Sequence, residues 1–428
     1  MARKEDIRIK KTRVKSAASS EKPTEQTPAP RFAGMQYENE VEEAARAAAE
    51  KRAARTKKPK TKKRLIIFAI LVVLVLVVWV KWDVLNPANV WNVINVAVTG
   101  GESGDGYPTE AEGSNIIAMR PIGNYLLLVS QNTVTVYNHS AGTVFSRTHS
   151  FSDPLVDVSG NTLMLAEIGG RRIEVQSVSG KVHTFETAKN IVCAAVSNNG
   201  TVAAITESDK SHISEIAVYN KEGEAKLYCY SSEALLTGIA LRADGRQMAA
   251  IGVLAKDGAP QSRLLVYSAV SDKDPKVYSG DDTLFCDVDY LGNDNVAVVG
   301  DDRLWVVKTG RNKPAELTYE NRRLLSWAVT DNRVGIVLQN YGATDGGQLL
   351  AVDKNGKAAY TTDFTGMFRG VSPAGKEFFL MSGTDLLTMN AKGESTSQPI
   401  IPDALRICNA FGNDALVLGL TSIERYDP

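Results

Sequence analysis

The segment IGNYLLLV, residues 122–129, is the first of eight similar segments that together specify the architecture of this chain. In each, a tight turn of Gly, Asn or Asp leads into a run of apolar residues. Asn and Gly tolerate the positive φ angles of two-residue hairpin turns, and the apolar runs have the β-branched content of strands. The other seven segments are SGNTLMLA, SNNGTVAAI, RADGRQMAAI, LGNDNVAVV, TDNRVGIVL, SPAGKEFFL and FGNDALVLG.

The turn residues recur every 37 to 49 residues, at Asn124, Asn161, Asn199, Asp244, Asn293, Asn332, Gly375 and Asn413. A second turn follows in most repeats, as in LLAVDKNGKAAY, residues 349–360. Two hairpins per repeat give four strands, and four strands in about 40 residues are typical of a β-propeller blade. The sequence therefore predicts an all-β fold, a propeller of eight blades over residues 115–428. Seven blades is the fallback if residues 405–428 only cap the ring, and a β-sandwich would not explain eight matched turns.

The last repeat has room for only three strands. Propellers often close by taking one strand from the other end of the domain, because closure removes an open edge. The segment WNVINVAV, residues 91–98, is predicted to supply this strand.

The repeats resemble degenerate blades of the WD40-like and quinoprotein-like propellers. Residues 349–360 match the quinoprotein-type turn best, with Tyr360 where a Trp would stand. The Gly-His and Trp-Asp marks of WD40 blades and the regular tryptophans of quinoprotein blades are absent, so the resemblance implies the fold and no quinone cofactor. The whole layout resembles bacterial proteins with one membrane anchor and an outer propeller, a resemblance that implies no activity.

Residues 65–82 read LIIFAILVVLVLVVWVKW, with sixteen consecutive apolar residues from Leu65 to Val80. At about 1.5 Å per residue this run spans roughly 24 Å, slightly less than a hydrocarbon core of about 30 Å. Interfacial Trp79 and Trp82, with a snorkelling Lys81, make up the difference. The segment predicts one transmembrane helix, and the alternative is a buried element of a soluble domain.

Charge predicts the orientation of this helix. Residues 51–64 contain nine Lys or Arg and no acid, whereas Lys81 is the only base between the apolar run and Arg120. The positive-inside rule places the N-terminus in the cytoplasm and the C-terminal domain outside, which predicts a single-pass signal anchor in the cell membrane. A cleaved signal peptide does not fit, because 64 residues precede the apolar run.

The net charge of zero conceals a division along the chain. Residues 1–64 hold 19 basic and 9 acidic residues, and residues 65–428 hold 30 basic and 40 acidic residues. The basic tail suits anionic cytoplasmic lipid, with nucleic acid as the competing interpretation, and the acidic outer part argues against a nucleic-acid partner. The tail is predicted to be disordered with a possible helix at 38–56, and residues 83–114 to form a juxtamembrane strand and linker.

The four cysteines, Cys193, Cys229, Cys286 and Cys408, have no metal-ligand spacing and are too sparse for a disulfide framework. Three lie in apolar runs, which predicts buried free thiols and leaves one disulfide as an open alternative.

No catalytic, cofactor or metal site is predicted. The four histidines form no HExxH or i, i+4 pair, and there is no GxSxG elbow or Walker loop. The four histidines are His139, His149, His183 and His212. The glycine-rich residues 100–106 are interpreted as a linker rather than a phosphate cradle.

Two sets of acids remain as weaker candidates. The pairs Asp281–Asp282 and Asp301–Asp302 could suggest calcium but lack ligand spacing, so solvated turn residues are expected. Asp287 and Asp289 alternate on a predicted strand, which could put two carboxylates on one face, a geometry compatible with acid–base chemistry.

Two insertions suggest where recognition occurs. VLAKDGAPQSR (253–263) and NYGATDGGQ (340–348) lengthen the connection between the second and third strands of their blades. Long loops on a rigid scaffold often carry binding, with neutral drift as the alternative. The predicted function is a non-catalytic, membrane-anchored extracytoplasmic binding or scaffold module for an envelope protein or cell-wall polymer. The alternative is an envelope hydrolase or lyase at the channel mouth, and a ligand sensor is a third option.

Overall fold

A computed structural model describes residues 103–113, 115–178, 181–208 and 211–427. These residues form thirty-two strands in eight four-stranded antiparallel sheets. No helix that could cross a membrane occurs among them. The predicted transmembrane helix at 65–82, the possible helix at 38–56 and the predicted strand at 91–98 lie outside the described residues.

Each of blades 1 to 4 runs from its innermost to its outermost strand in chain order. Blade 1 comprises β2 (Ile116–Ile122), β3 (Tyr125–Ser130), β4 (Thr133–Tyr137) and β5 (Thr143–Thr148). Blade 2 comprises β6 (Pro154–Ser159), β7 (Thr162–Glu167), β8 (Arg172–Ser177) and β9 (His183–Glu186). Blade 3 comprises β10 (Ile191–Val196), β11 (Val202–Thr206), β12 (Ser214–Tyr219) and β13 (Ala225–Ser231). Blade 4 comprises β14 (Leu235–Leu241), β15 (Gln247–Lys256), β16 (Ala259–Ser268) and β17 (Lys276–Asp281).

Blades 5 to 7 repeat this order, and blade 8 combines both ends of the domain. Blade 5 comprises β18 (Phe285–Leu291), β19 (Asn295–Gly300), β20 (Arg303–Lys308) and β21 (Ala315–Thr318). Blade 6 comprises β22 (Arg322–Val329), β23 (Arg333–Asn340), β24 (Gly347–Asp353) and β25 (Ala358–Phe364). Blade 7 comprises β26 (Phe368–Ala374), β27 (Glu377–Ser382), β28 (Asp385–Met389) and β29 (Ser395–Pro399). Blade 8 comprises β30 (Arg406–Ala410), β31 (Asp414–Leu418), β32 (Ser422–Tyr426) and β1 (Thr109–Glu110).

The blades form a closed ring around a central channel. The innermost strands contact one another from β2 through β30 and back to β2. A separate apolar core fills each of the eight junctions between neighbouring blades. The core between blades 8 and 1 packs Leu126 and Leu128 against Leu416 and Leu418. The predicted eight-bladed, four-stranded propeller is therefore confirmed.

Burial explains why the second strand of each repeat gave the clearest sequence signal. All six residues of β3 and of β19 are buried, because both faces of the strand pack against neighbouring blades. Such strands read as continuous apolar runs. The outermost strands alternate instead, as β25 does, because one of their faces reaches solvent.

The closing strand differs from the predicted one. β1 pairs with β32 through Thr109 opposite Ile423 and Glu110 opposite Ser422, so it takes the outer position predicted for residues 91–98. Gly104 and Gly106, which were interpreted as part of a linker, are bound to blade 1: the Gly106 amide donates to the Ser140 carbonyl at 3.0 Å, and the Gly104 amide donates to the Ser140 hydroxyl at 3.3 Å. A strand of two residues has too little pattern to be seen in a sequence.

The eight predicted turns all join the first and second strands of a blade. In seven of them a glycine has positive φ, whereas no residue of the turn 330–332 in blade 6 does. Gly123 and Gly160 have φ angles of +56° and +53°, whereas Asn124 and Asn161 do not enter this region. A Cβ at Gly123 would overlap the side-chain oxygen of Asn161, the turn asparagine of the next blade. The side chains of Asn161 and Asn413 therefore pack against the turn of the preceding blade, whereas that of Asn199 donates to Asp244 in the turn of the following blade.

Candidate functional site

The antiparallel strands divide the connections between two faces of the ring. The front face carries the connections from second to third strands and those entering the first strand of each blade. The back face carries the connections from first to second and from third to fourth strands. Both predicted insertions lie on the front face. Residues 253–263 extend the β15–β16 hairpin by pairing up to Lys256 opposite Ala259, whereas residues 341–346 form a loop.

The front face concentrates the exposed apolar side chains. Among the described residues thirteen large apolar side chains are exposed, and nine of them lie at this face. Five stand where the first strand of a blade begins, beside the channel mouth: Val192, Leu235, Leu284, Met367 and Leu405. Four stand in connections between second and third strands: Ile168, Ile213, Tyr341 and Leu420. A clustering of this kind marks an interaction surface more often than scattered apolar residues do.

Charge also separates the two faces. The described front connections carry two basic residues, Arg171 and Lys189, and eleven acids: Glu112, Asp153, Glu207, Glu233, Asp257, Asp282, Asp301, Asp302, Glu320, Asp345 and Asp403. The described back connections carry eight acids and eleven basic residues: Lys181, Lys221, Arg242, Arg246, Lys273, Arg311, Lys313, Lys354, Lys357, Lys376 and Lys392. The front face is therefore acidic and apolar, and the back face is weakly basic.

Blade 5 shows how the front connections are held in place. A side-chain oxygen of Asp301 accepts the Leu284 amide at 2.9 Å. Asp302 accepts the Thr283 hydroxyl at 2.7 Å and pairs with the Arg303 guanidinium at 2.7 Å, and this pairing lowers the pKa of Asp302. Asp301–Asp302, one of the two acid pairs considered for calcium, thus holds the neighbouring connection that presents Leu284. The described residues contain no group of three or more His, Cys, Asp or Glu side chains that could hold a metal ion.

The channel holds three carboxylates on innermost strands, and two of them join neighbouring blades. Asp157 accepts the Val196 amide of blade 3 at 2.8 Å, and Asp287 accepts the Trp327 indole N–H of blade 6 at 2.7 Å. Burial is the main cause that raises the pKa of both groups, and Arg120 of β2 opposes it.

Asp289 is the carboxylate that faces the channel most openly. One of its oxygens accepts the amide of Tyr290 at 2.7 Å, and the side chain is exposed to the lumen. The surrounding blades nevertheless displace most bulk solvent, and this poor solvation raises the pKa of Asp289 to about 7. The charges of Asp287 and Asp157 add to the rise, whereas Arg120 lowers it. Asp287 and Asp289, which were predicted to alternate on one strand, therefore lie close enough for the charge of one to affect the pKa of the other.

The histidines are dispersed over blades 1 to 3. His149 is buried, with its Nε2 at 3.0 Å from the Ser130 carbonyl, and His212 stacks on Tyr230 with ring centroids 4.5 Å apart. His139 contacts the Phe411 ring, and burial together with Arg425 lowers its pKa. His183 is half-buried at the start of β9. The structure brings no two of them together.

All four cysteines are free thiols, as predicted, but of the three predicted to be buried only Cys408 is buried, whereas Cys193 is half-buried and Cys286 is exposed. A bulge between Phe285 and Asp287 leaves Cys286 outside the strand register and interrupts the alternation of β18. Five other innermost strands carry a bulge at the same position, which leaves Ile117, Val192, Thr237, Leu325 and Arg369 unpaired. Sequence reasoning missed this repeated feature, and with it the apolar rim of the channel mouth. The available signal was an apolar residue directly before a predicted first strand, as at Leu284, Met367 and Leu405.

Comparison with solved structures places the chain among β-propellers. The C-terminal WD40 domain of Sif2 is 13% identical, with 76% of this chain and 99% of that chain covered and a TM-score of 0.53. AztD from Citrobacter koseri, solved in the apo form, is 12% identical, with 69% and 88% covered and a TM-score of 0.50. BamB from Moraxella catarrhalis is 12% identical, with 74% and 100% covered and a TM-score of 0.48. At such identities the similarity concerns the fold alone.

Sequence comparison defines the family. No curated protein matches the chain. Residues 102–409 match the model of a family of unknown function, DUF5711. The match begins just before the closing strand and extends into β30, so it covers most of the propeller. The chain therefore belongs to the DUF5711 family.

Proposed function

We propose that this chain is a membrane-anchored, extracytoplasmic binding module whose front face docks a protein of the cell envelope. The observation that carries the proposal is the concentration of nine exposed large apolar side chains at one face of the ring. Apolar surface exposed to water is unfavourable, and its burial is the main favourable term in protein association. The anchor at 65–82 and its orientation are supported by the apolar run and the positive-inside rule.

The chemistry of the front face defines the partner. Leu420, Tyr341 and Met367 are 72%, 70% and 67% exposed, so each has apolar surface to bury. The acids of the surrounding connections would favour a partner with basic residues around an apolar centre. A polar cell-wall polymer would leave the Leu and Met side chains unmatched, which favours a protein.

Paired substitutions of matched exposure test this proposal. Leu405→Ser with Leu420→Ser changes the front face, and Val277→Ser with Val270→Ser changes sites of equal exposure elsewhere: 52% and 72% against 52% and 69%. Burying each leucine should contribute about 1 kcal/mol, so losing both should weaken binding roughly tenfold or more. The measurement is the amount of envelope protein crosslinked to the tagged full chain in intact cells. Capture by the double leucine variant should fall at least tenfold, whereas capture by the double valine variant should match that of the parent. Equal capture by the two variants contradicts the proposal.

One observation favours the alternative enzymatic function. Asp289 faces the channel with a pKa of about 7, the value expected of a general acid near neutral pH. A hydrolase or lyase acting on an envelope polymer would use it to protonate a leaving group. Turnover of such a polymer by the purified chain, abolished by Asp289→Asn, would support this function over the binding one.

A further inference from the structure

A cleft of about 290 Å³ lies on the back face at the junction of blades 4 and 5, on the opposite side of the ring from the apolar surface. Its lining includes four basic side chains and one acidic one: Arg242, Arg246, Lys273, Lys276 and Asp274. The two arginines belong to the turn between the first and second strands of blade 4, and the lysines stand before and at the start of its outermost strand.

Most of this positive charge has no carboxylate partner. Arg242 pairs with Asp244 through two bonds of 2.8 and 2.7 Å. Within the described part of the chain, no salt bridge involves Arg246, Lys273 or Lys276. Asp274 is the one carboxylate in the lining, and Asp244 interacts with both arginines, so the cleft keeps an excess of positive charge that a bound anion would offset.

The walls of the cleft are fixed by contacts with backbone groups, which do not neutralise its basic side chains. Asp244 accepts the backbone amide of Arg246 at 3.0 Å, which fixes the arginine turn. On the other side, the Lys276 ammonium donates to the Arg311 carbonyl of blade 5 and lies 5.5 Å from the centroid of the Tyr278 ring. The Tyr278 hydroxyl donates to the same carbonyl at 2.7 Å. Lys276, on the side of the cleft opposite the arginine turn, is therefore held against blade 5 and retains two N–H donors.

We propose that this cleft binds a phosphate group, carried either by a small polyol phosphate or by a lipid headgroup. Guanidinium groups match the geometry of phosphate oxygens, and ammonium groups add point charge. A volume of about 290 Å³ accommodates a phosphate with a three-carbon polyol. The basic character of the back connections favours the approach of an anion to this face rather than to the acidic front face.

Binding to the full chain tests the proposal. The probes are inorganic phosphate and glycerol 3-phosphate, followed by calorimetry, and phosphatidylcholine vesicles with and without phosphatidylglycerol, followed by co-sedimentation. The cleft variant is Arg246→Ala with Lys273→Ala, and both side chains are exposed, so the fold should be retained. The matched control is Lys354→Ala with Lys392→Ala, two exposed lysines of back-face turns in blades 6 and 7.

The expected result is binding by the parent and the control, weakened at least tenfold in the cleft variant and further weakened by added salt. Binding of the soluble phosphates identifies a free phosphate ester as the ligand, and binding only to phosphatidylglycerol vesicles identifies a headgroup. Absence of binding to every probe, or equal losses in the cleft and control variants, overturns the proposal. Neither variant should alter capture of a partner at the front face, so this site and the proposed docking surface can fail independently.

Discussion

At the scale of single residues, the channel shows how hydrogen bonding decides what a carboxylate can do. Asp157 and Asp287 each accept an N–H from the next blade, so their charge helps to join the ring. Asp289 accepts only a local amide and keeps an oxygen open to the lumen. Three residues of one type thus have two different roles, although all have a raised pKa with poor solvation as the main cause.

The raised pKa of Asp289 predicts a specific pH dependence of stability. In the unfolded chain this group titrates near pH 4, and in the folded chain at about 7. Between these values the folded state binds more protons than the unfolded state, so its contribution to stability falls as the pH rises. Asp289→Asn should therefore raise the melting temperature at pH 8 and change it little at pH 4. Calorimetric melting at both pH values checks this, and an equal change at both would show that Asp289 titrates normally.

The burial and direction of a single side chain could be predicted only where the strand register is regular. Asp287 and Asp289 keep the expected alternation because they follow the bulge of β18. Cys286 lies at that bulge, so its predicted burial was wrong. A bulge depends on how the strand meets its neighbours around the channel, and a single sequence does not encode this in a readable way.

At the scale of elements, the turns between third and fourth strands pack against the outermost strand of the preceding blade. A Cβ at Gly393 would lie 2.7 Å from the Tyr360 ring, and one at Gly223 would overlap Phe185. Both glycines also have positive φ. Glycine is required at these positions for two reasons, backbone conformation and close approach.

A matched pair of substitutions separates these two reasons. Gly223 and Gly258 have φ angles of +85° and +84°, but nothing lies within 4 Å of a Cβ at Gly258. Gly258→Ala should carry only the conformational cost, whereas Gly223→Ala should cost about 1–3 kcal/mol more because Phe185 must move. Urea unfolding measures the difference. Equal losses of unfolding free energy would show that blade packing does not constrain this turn.

The attachment of the closing strand, β1, depends on few residues. β1 pairs through only two residues, so Tyr107 is expected to supply much of its attachment: its ring centroid lies 6.0 Å from that of Phe411, and its hydroxyl donates to the Asn138 carbonyl at 3.2 Å. Tyr107→Ala should destabilise the propeller by about 2 kcal/mol. The control is Tyr341→Ala, since Tyr341 is 70% exposed and should cost almost nothing. A Tyr107→Ala protein as stable as the control would mean that closure does not depend on this contact.

The repeat was predictable at this scale and its closure was not. Eight turns with eight apolar second strands specified the number of blades, because fully buried strands must be apolar throughout. The closing strand has neither a long apolar run nor alternation. It is held by contacts of the preceding residues, Tyr107 with Phe411 and Gly106 with Ser140 of blade 1. The segment at 91–98 had the stronger strand pattern, so pattern alone pointed to the wrong residues.

At the scale of the whole molecule, the ring has one acidic, apolar face and one weakly basic face. The sequence already showed an acidic C-terminal part, but only the strand order distributes those charges between the two faces. Both predicted insertions lie on the acidic, apolar face, but they supply little of its apolar surface. Most of its apolar surface comes from residues at the starts of first strands and in short connections rather than from long loops.

Photocrosslinking from both faces of the ring in intact cells tests whether the front face is the binding surface. A photoreactive amino acid replaces Leu284 or Leu405 at the front face in separate full-length variants, and Val270 in a connection of the back face serves as the control. Both front positions should yield an adduct with the same envelope protein, and Val270 should yield none. Adducts of equal yield from Val270, or no adduct from either front position while the chain is folded and present, would show that the front face is not the binding surface.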